Sequence, residues 1–256
     1  MDTCCSTTPA LPSDGLSVCE RLAKEGARGV GTATVFVSWV LITPVLDLVD
    51  ALRQYLDQQP QVPRSTRFWV CDFAIRQGPD ARADVARLGD CVRVVHNTLM
   101  HLQPWQDPAP LRSKWCIYEV YHSQASGAQL GLCMGKAEQA AFEGALGDDF
   151  DSIVTRLARV DVRRARCREE AEAQQVLEEI EREVGLSACN SLVLEALRGA
   201  LAAQGLAAIG KLGAEERLGS NLRINTAGLL WRQGRLVEPE LLSRGDLEAR
   251  RVALGD

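Results

Sequence analysis

Glu119 is the residue whose neighbours in the sequence best suit it to chemistry. It follows Trp115 by four residues and Cys116 by three, within a stretch (Leu111–Ser123) whose periodicity predicts a helix. That spacing puts all three on one helix face. A carboxylate beside an aromatic ring and a thiol loses hydration, which raises its pKa. Such a group is suited to acid–base or charge-stabilising work. The competing reading from spacing alone is an ordinary solvent-exposed helix glutamate. Trp115 and Cys116 themselves read as packing residues. His96, His101 and His122 are not spaced to bind metal from one helix face. Cys116 and His122, six residues apart, fall on different faces of a helix, so thiol catalysis by that pair is not expected.

The elements that must carry Glu119 alternate in type. Thr32–Trp39 is a β-branched and aromatic run, as in a strand buried on both faces. Pro44 opens an amphipathic helix with Val45, Leu48, Val49, Leu52, Tyr55 and Leu56 on one side. Arg67–Cys71 is a second short strand, ended by Asp72, and Pro79–Leu88 reads as a short helix. Val92–Val95 and Thr98–Leu102 together supply a third strand. The helix bearing Glu119 follows, then a fourth strand over Gln129–Met134 and a helix over Lys136–Leu146. Strands and helices alternating at this spacing specify a parallel sheet with helices on both faces. Ligands of such sheets bind outside the carboxyl ends of the strands. Those ends fall at Ser38-Trp39, Asp72-Phe73, the loop Gln103–Pro110 and the region after Met134. A phosphorelay receiver is excluded, because Ser38-Trp39 stands where acidic residues would end the first strand. From about Asp149 the pattern is helical only, and Asn225–Asp256 reads as two helices joined near Gly234-Arg235.

Length and charge bound the rest. A chain of 256 residues has room for two domains. A net charge of -5 gives no general pull toward nucleic acid. Arginines 156, 159, 163, 164, 166 and 168 are spaced as on an amphipathic helix, compensated by the acidic run Glu169–Glu183. Nine cysteines are dispersed without paired CxxC motifs, so no zinc site is expected and a reducing, cytoplasmic compartment is. Val35–Thr43 is too short to span a bilayer, and no membrane span is expected. Cys4-Cys5 are candidate palmitate acceptors, but no Gly follows Met1 for myristoylation.

Two stretches carry a resemblance. VFVSW at 35–39 resembles the first strand of a TIR domain, and SKWCIYEV at 113–120 resembles the WCxxE signature of such domains. The longer pattern FWVCDFAIRQ…PWQDPAPLRSKWCIYEVYHS…DFDSI resembles a TIR-like family of protists that is often joined to tetratricopeptide repeats. FAIRQGPD stands where the family usually carries a Pro-Gly loop. The resemblance covers roughly residues 32–200 and implies a flavodoxin-like sheet. It also implies a catalytic role for Glu119, the position that in catalytic members is required to cleave the nicotinamide–ribose bond of NAD+. NAD+ would then be the substrate, with no cofactor required. Ser38, Trp39 and Phe73 are pocket-lining candidates by position. NTAGLLWRQGRLVEPELLSRGDLEARRVALGD (225–256) resembles one degenerate tetratricopeptide repeat of the kinesin-light-chain or nephrocystin type. Pro239 and Asp246 stand in it where small alanines are usual. A single repeat cannot bury its apolar face alone.

The expected organisation is a leader (1–31), a TIR-like α/β domain (32–148), a helical extension (149–220) and a degenerate tetratricopeptide-like hairpin (221–256). The expected function is an intracellular signalling or scaffold protein. It would self-associate through the TIR-like domain and engage protein partners through its helical C-terminal region. The alternative is an NAD+ glycohydrolase. A third reading, a cargo adaptor on microtubules, rests on the 225–256 resemblance alone.

Overall fold

Every residue of the first strand, β1 (Val35–Ser38), is buried, as its unbroken apolar run requires. In the computed structural model, which describes residues 14–76, 81–213, 216 and 220–234, β1 lies inside a four-stranded sheet. It pairs in parallel with β2 (Phe68–Val70) on one side and β3 (Asn97–His101) on the other, and β3 pairs with β4 (Gln129–Cys133). The order is β2-β1-β3-β4, all parallel.

Side chains along β1 alternate between two cores. Val35 and Val37 face helix α2 (Val45–Gln58), where Leu48 and Ala51 are buried. Phe36 points the other way, stacked on Trp69 at 4.6 Å and packed with Met100, Ile117 and Leu132. The period-two alternation of a strand therefore requires helices on both faces. The molecule is α/β, as expected.

The described chain starts with α1 (Val18–Lys24), whose N-cap Ser17 and Glu20 form a reciprocal capping box. Cys71 does not end β2 but opens a short helix, α3 (Cys71–Ala74). Residues 77–80 lie outside the described set. α4 (Ala81–Val85) and α5 (Leu88–Val95) follow. Val92–Val95, expected in the third strand, is thus the end of α5. Leu88 and Val92, four apart, are both buried on the helix face, and His96 closes the helix in the left-handed conformation at φ 55°. Its N–H bonds the Val92 carbonyl, and β3 starts one residue later.

The Glu119 helix is α6 (Lys114–Ala125), capped by the Ser113 hydroxyl accepting from the Cys116 N–H. It is followed by α7 (Lys136–Asp148) and α8 (Phe150–Leu157). The arginine-rich stretch expected as a helix over Arg156–Arg168 is helical only to Leu157. Beyond it the backbone turns and then pairs with the start of α6. The Arg166 N–H donates to the Arg112 carbonyl at 2.7 Å, and the Lys114 N–H to the Arg166 carbonyl at 2.9 Å. The buried Lys114 ammonium donates to the Arg163 and Ala165 carbonyls. These tertiary bonds override the helical spacing.

α9 (Glu170–Glu183), α10 (Leu186–Lys211) and α11 (Asn221–Arg232) complete the described elements. Three α6 side chains dock on α9 by donating to its glutamates. The Trp115 indole reaches Glu172 at 3.2 Å, the Tyr118 hydroxyl Glu179 at 2.7 Å and the Tyr121 hydroxyl Glu183 at 3.1 Å. The acidic run is thus more than a counterweight to the arginines. α10 packs against α6, β4, α7, α9 and α11. By length and composition it is long and apolar enough to cross a membrane, and half of its apolar window is buried against the rest of the chain. One hydrophobic cluster runs from Phe36 through Leu146 and Leu197 to Leu230, so packing is continuous across the expected boundary at 148. α11 lies in the segment expected to form a hairpin; residues 235–256, where its second helix is expected, lie outside the described set.

Candidate functional site

Ser38 is the last residue of β1, at its carboxyl end and at the point where the strand order reverses between β1 and β3. In open α/β sheets that is where ligands bind. Its hydroxyl donates to Glu119 Oε2 at 2.6 Å, and both residues are buried. Two positions 81 apart in sequence are joined because α6 lies across the sheet face that β1 lines. Glu119 is therefore not a solvated helix glutamate.

Burial sets the electrostatics. Removal from water pushes the Glu119 carboxyl up to about 8, while the Ser38 O–H pulls it back toward ionisation. Cys116 donates its thiol to the Trp39 carbonyl at 3.4 Å. Burial, and secondarily the Glu119 charge, push that thiol up to about 12. Cys71 is raised further by burial and then by Glu119, and its thiol donates to Asp72 Oδ2 at 3.6 Å. Burial raises Asp72 as well, opposed by Cys71, its own backbone and Trp39. The buried Trp39 indole N–H makes no well-aligned hydrogen bond, yet it lies close enough to Cys71 and Asp72 to favour their charged forms.

The cluster thus joins two carboxyls, two thiols held as neutral S–H, a hydroxyl and an indole N–H close to Cys71 and Asp72. Neutral thiols are poor nucleophiles. A carboxyl with a pKa near neutrality can accept or return a proton at physiological pH.

Of the expected residues, Ser38 meets Glu119 directly, and Trp39 is buried beside the same group through its carbonyl. Phe73, on α3, is about a third exposed and is not part of this buried group. Trp115 packs edge-on against Tyr118 and bonds to Glu172, so burial against the sheet, rather than an aromatic neighbour on its own helix, desolvates Glu119. Cys71 is not among the residues expected at the site, and Asp72 is expected there only as the end of the second strand. Their signal was a short apolar strand running straight into a thiol and an acid at its carboxyl end.

Glu119 is covered. Two hollows among the described residues lie elsewhere, one lined by Leu157, Leu197, Leu201 and Leu229 and the other around Asp151 and Arg156. Among the described residues, the group of His, Cys, Asp and Glu atoms close enough to share a metal ion is His122, Glu179 and Glu183, where α6 meets α9. Compared with protein-family models, curated proteins and solved structures, the chain matches none.

Proposed function

We propose that the chain is an intracellular signalling or scaffold protein whose α/β part is a TIR-like, flavodoxin-like interaction module, with the helical C-terminal region engaging further protein partners. The observation that carries this reading is the apolar surface at the carboxyl ends of β1 and β2. Leu41, Ile42, Val45 and Leu46 are exposed in the loop and first turn after β1, and Phe73 is exposed after β2. Large apolar side chains gathered at one edge mark contact surfaces. The parallel order β2-β1-β3-β4 is the one expected of a flavodoxin-like sheet, and a sealed Glu119 suits a module whose work lies on its surface. Sedimentation velocity over a concentration series tests it. Self-association is expected for the wild type and is lost in Ile42→Asp/Leu46→Asp. A chain that stays monomeric at every concentration overturns self-association.

The Glu119 cluster favours a second reading, an NAD+ glycohydrolase. Cleaving the nicotinamide–ribose bond develops positive charge on the ribose, which an ionised carboxylate stabilises. Because Glu119 holds its proton to about pH 8, the rate would climb with pH toward that value. Nicotinamide release at high protein concentration, abolished by Glu119→Gln, is the expected result. Absence of release across pH 6–9 removes this reading.

A further inference from the structure

We propose that His122, Glu179 and Glu183 bind one divalent transition-metal ion of the zinc class between α6 and α9. A ring nitrogen of His122 and one carboxylate oxygen from each glutamate lie within 4.8 Å of one another. His122 is fully buried, and its Nε2 has no hydrogen-bond partner. Nδ1 accepts from Arg93, so Nε2 carries the ring proton and Nδ1 is the nitrogen that ligates. Glu179 and Glu183 are one turn apart on α9 and project from the same side.

Each glutamate is already oriented by a hydroxyl from α6, Tyr118 on Glu179 Oε1 and Tyr121 on Glu183 Oε2. Outer hydrogen bonds of this kind hold metal-ligating carboxylates in place. The backbone of α5 packs closely behind the site at Gly89, where a Cβ would stand only 3.0 Å from the Tyr118 hydroxyl and 3.1 Å from His122 Nε2.

One imidazole with two carboxylates suits a borderline divalent ion, with bonds of about 2.0–2.2 Å to zinc. Closing the cluster onto such an ion draws the ligand atoms together by about 1 Å. The Glu183 side chain, at the rim and partly exposed, is free to make that movement.

The cation now in the cluster is Arg93 of α5. Its guanidinium lies 3.0 Å from His122 Nδ1 and 3.9 Å from Glu183, and also bonds Asp90 at 2.8 Å. A guanidinium only donates, so Nδ1 accepts and presents its lone pair toward the cluster's charged side. Arg93 reaches solvent, its side chain 42% exposed, and can stay on Asp90 while the metal takes its place.

Cobalt and zinc titrations of the reduced full chain at pH 7.5 test the site. One equivalent of Co2+ is expected to give d–d bands without a thiolate-to-cobalt transition, since the ligands are nitrogen and oxygen. Calorimetry with Zn2+ is expected to show one-to-one binding, weakened at least about tenfold in Glu179→Gln/Glu183→Gln and strengthened in Arg93→Ala. No one-to-one binding, a thiolate band, or a double variant that binds like the wild type overturns the proposal. Should the double variant fail to fold, Arg93→Ala decides, and unchanged affinity in it overturns the site.

Discussion

The two sides of α6 treat a buried titratable group in opposite ways. Toward the sheet, Glu119 is sealed by Ser38 and surrounded by neutral thiols, so its charge is suppressed by burial. Toward α9, His122 is equally buried, yet it keeps one nitrogen unpaired beside two carboxylates and an arginine that reaches solvent. The first arrangement closes a site by neutralising it; the second keeps charge available at a rim. Three residues of one helix separate them. Burial alone therefore says little about function. The presence or absence of a partner, and the exposure of the counter-charge, separate the two faces.

The largest expected effect breaks the sealed side. Glu119→Ala leaves a cavity and strands the buried Ser38 hydroxyl, at a cost of about 2–4 kcal/mol, read by urea unfolding. Glu119→Gln keeps the acceptor for Ser38 and has a different signature. Between about pH 4.5 and 8 the folded state holds a proton on Glu119 that the unfolded chain has released. The contribution of Glu119 is therefore fully present below about 4.5 and is lost as pH rises through about 8, by about 1.4 kcal/mol per unit. Glu119→Gln is expected to flatten that part of the profile and to be the more stable protein at pH 8. A wild type whose stability is level from pH 5 to 8, with Gln tracking it, would show that Glu119 is hydrated and the face open.

How much of this was legible in the sequence follows from how local each signal is. β1 and its alternation were readable because a strand buried on both faces has only apolar residues to show. Glu119 and Ser38 were both selected, one by its helix and one as a strand end, while the bond between them is a product of packing. Phe73 was chosen by the same strand-end rule and points outward, since the rule fixes position along the sheet and not side-chain direction. Val92–Val95 misled because β-branched residues favour strands, whereas Leu88 and Val92 buried the helical face. The arginines at 156–168 imitate a helix by spacing, but their backbone bonds go to Arg112 and Lys114. The His122 cluster was invisible: its carboxylates lie 57 and 61 residues further on, and only the parallel docking of α9 on α6 brings them together.

The smallest effect tests the open side most sharply. Tyr118→Phe removes the hydroxyl that orients Glu179 without changing the ring that packs beside His122. Because Glu179 is only partly buried, water can replace the lost donor, so the stability cost is expected to stay within about 1 kcal/mol. Zinc affinity is expected to fall about tenfold, the usual loss when a ligand's outer hydrogen bond is cut. A hydroxyl that merely glued two helices would give the reverse pattern, with stability lost and affinity kept. Calorimetry and urea unfolding on the same variant therefore decide whether the tyrosines of α6 serve packing or the site.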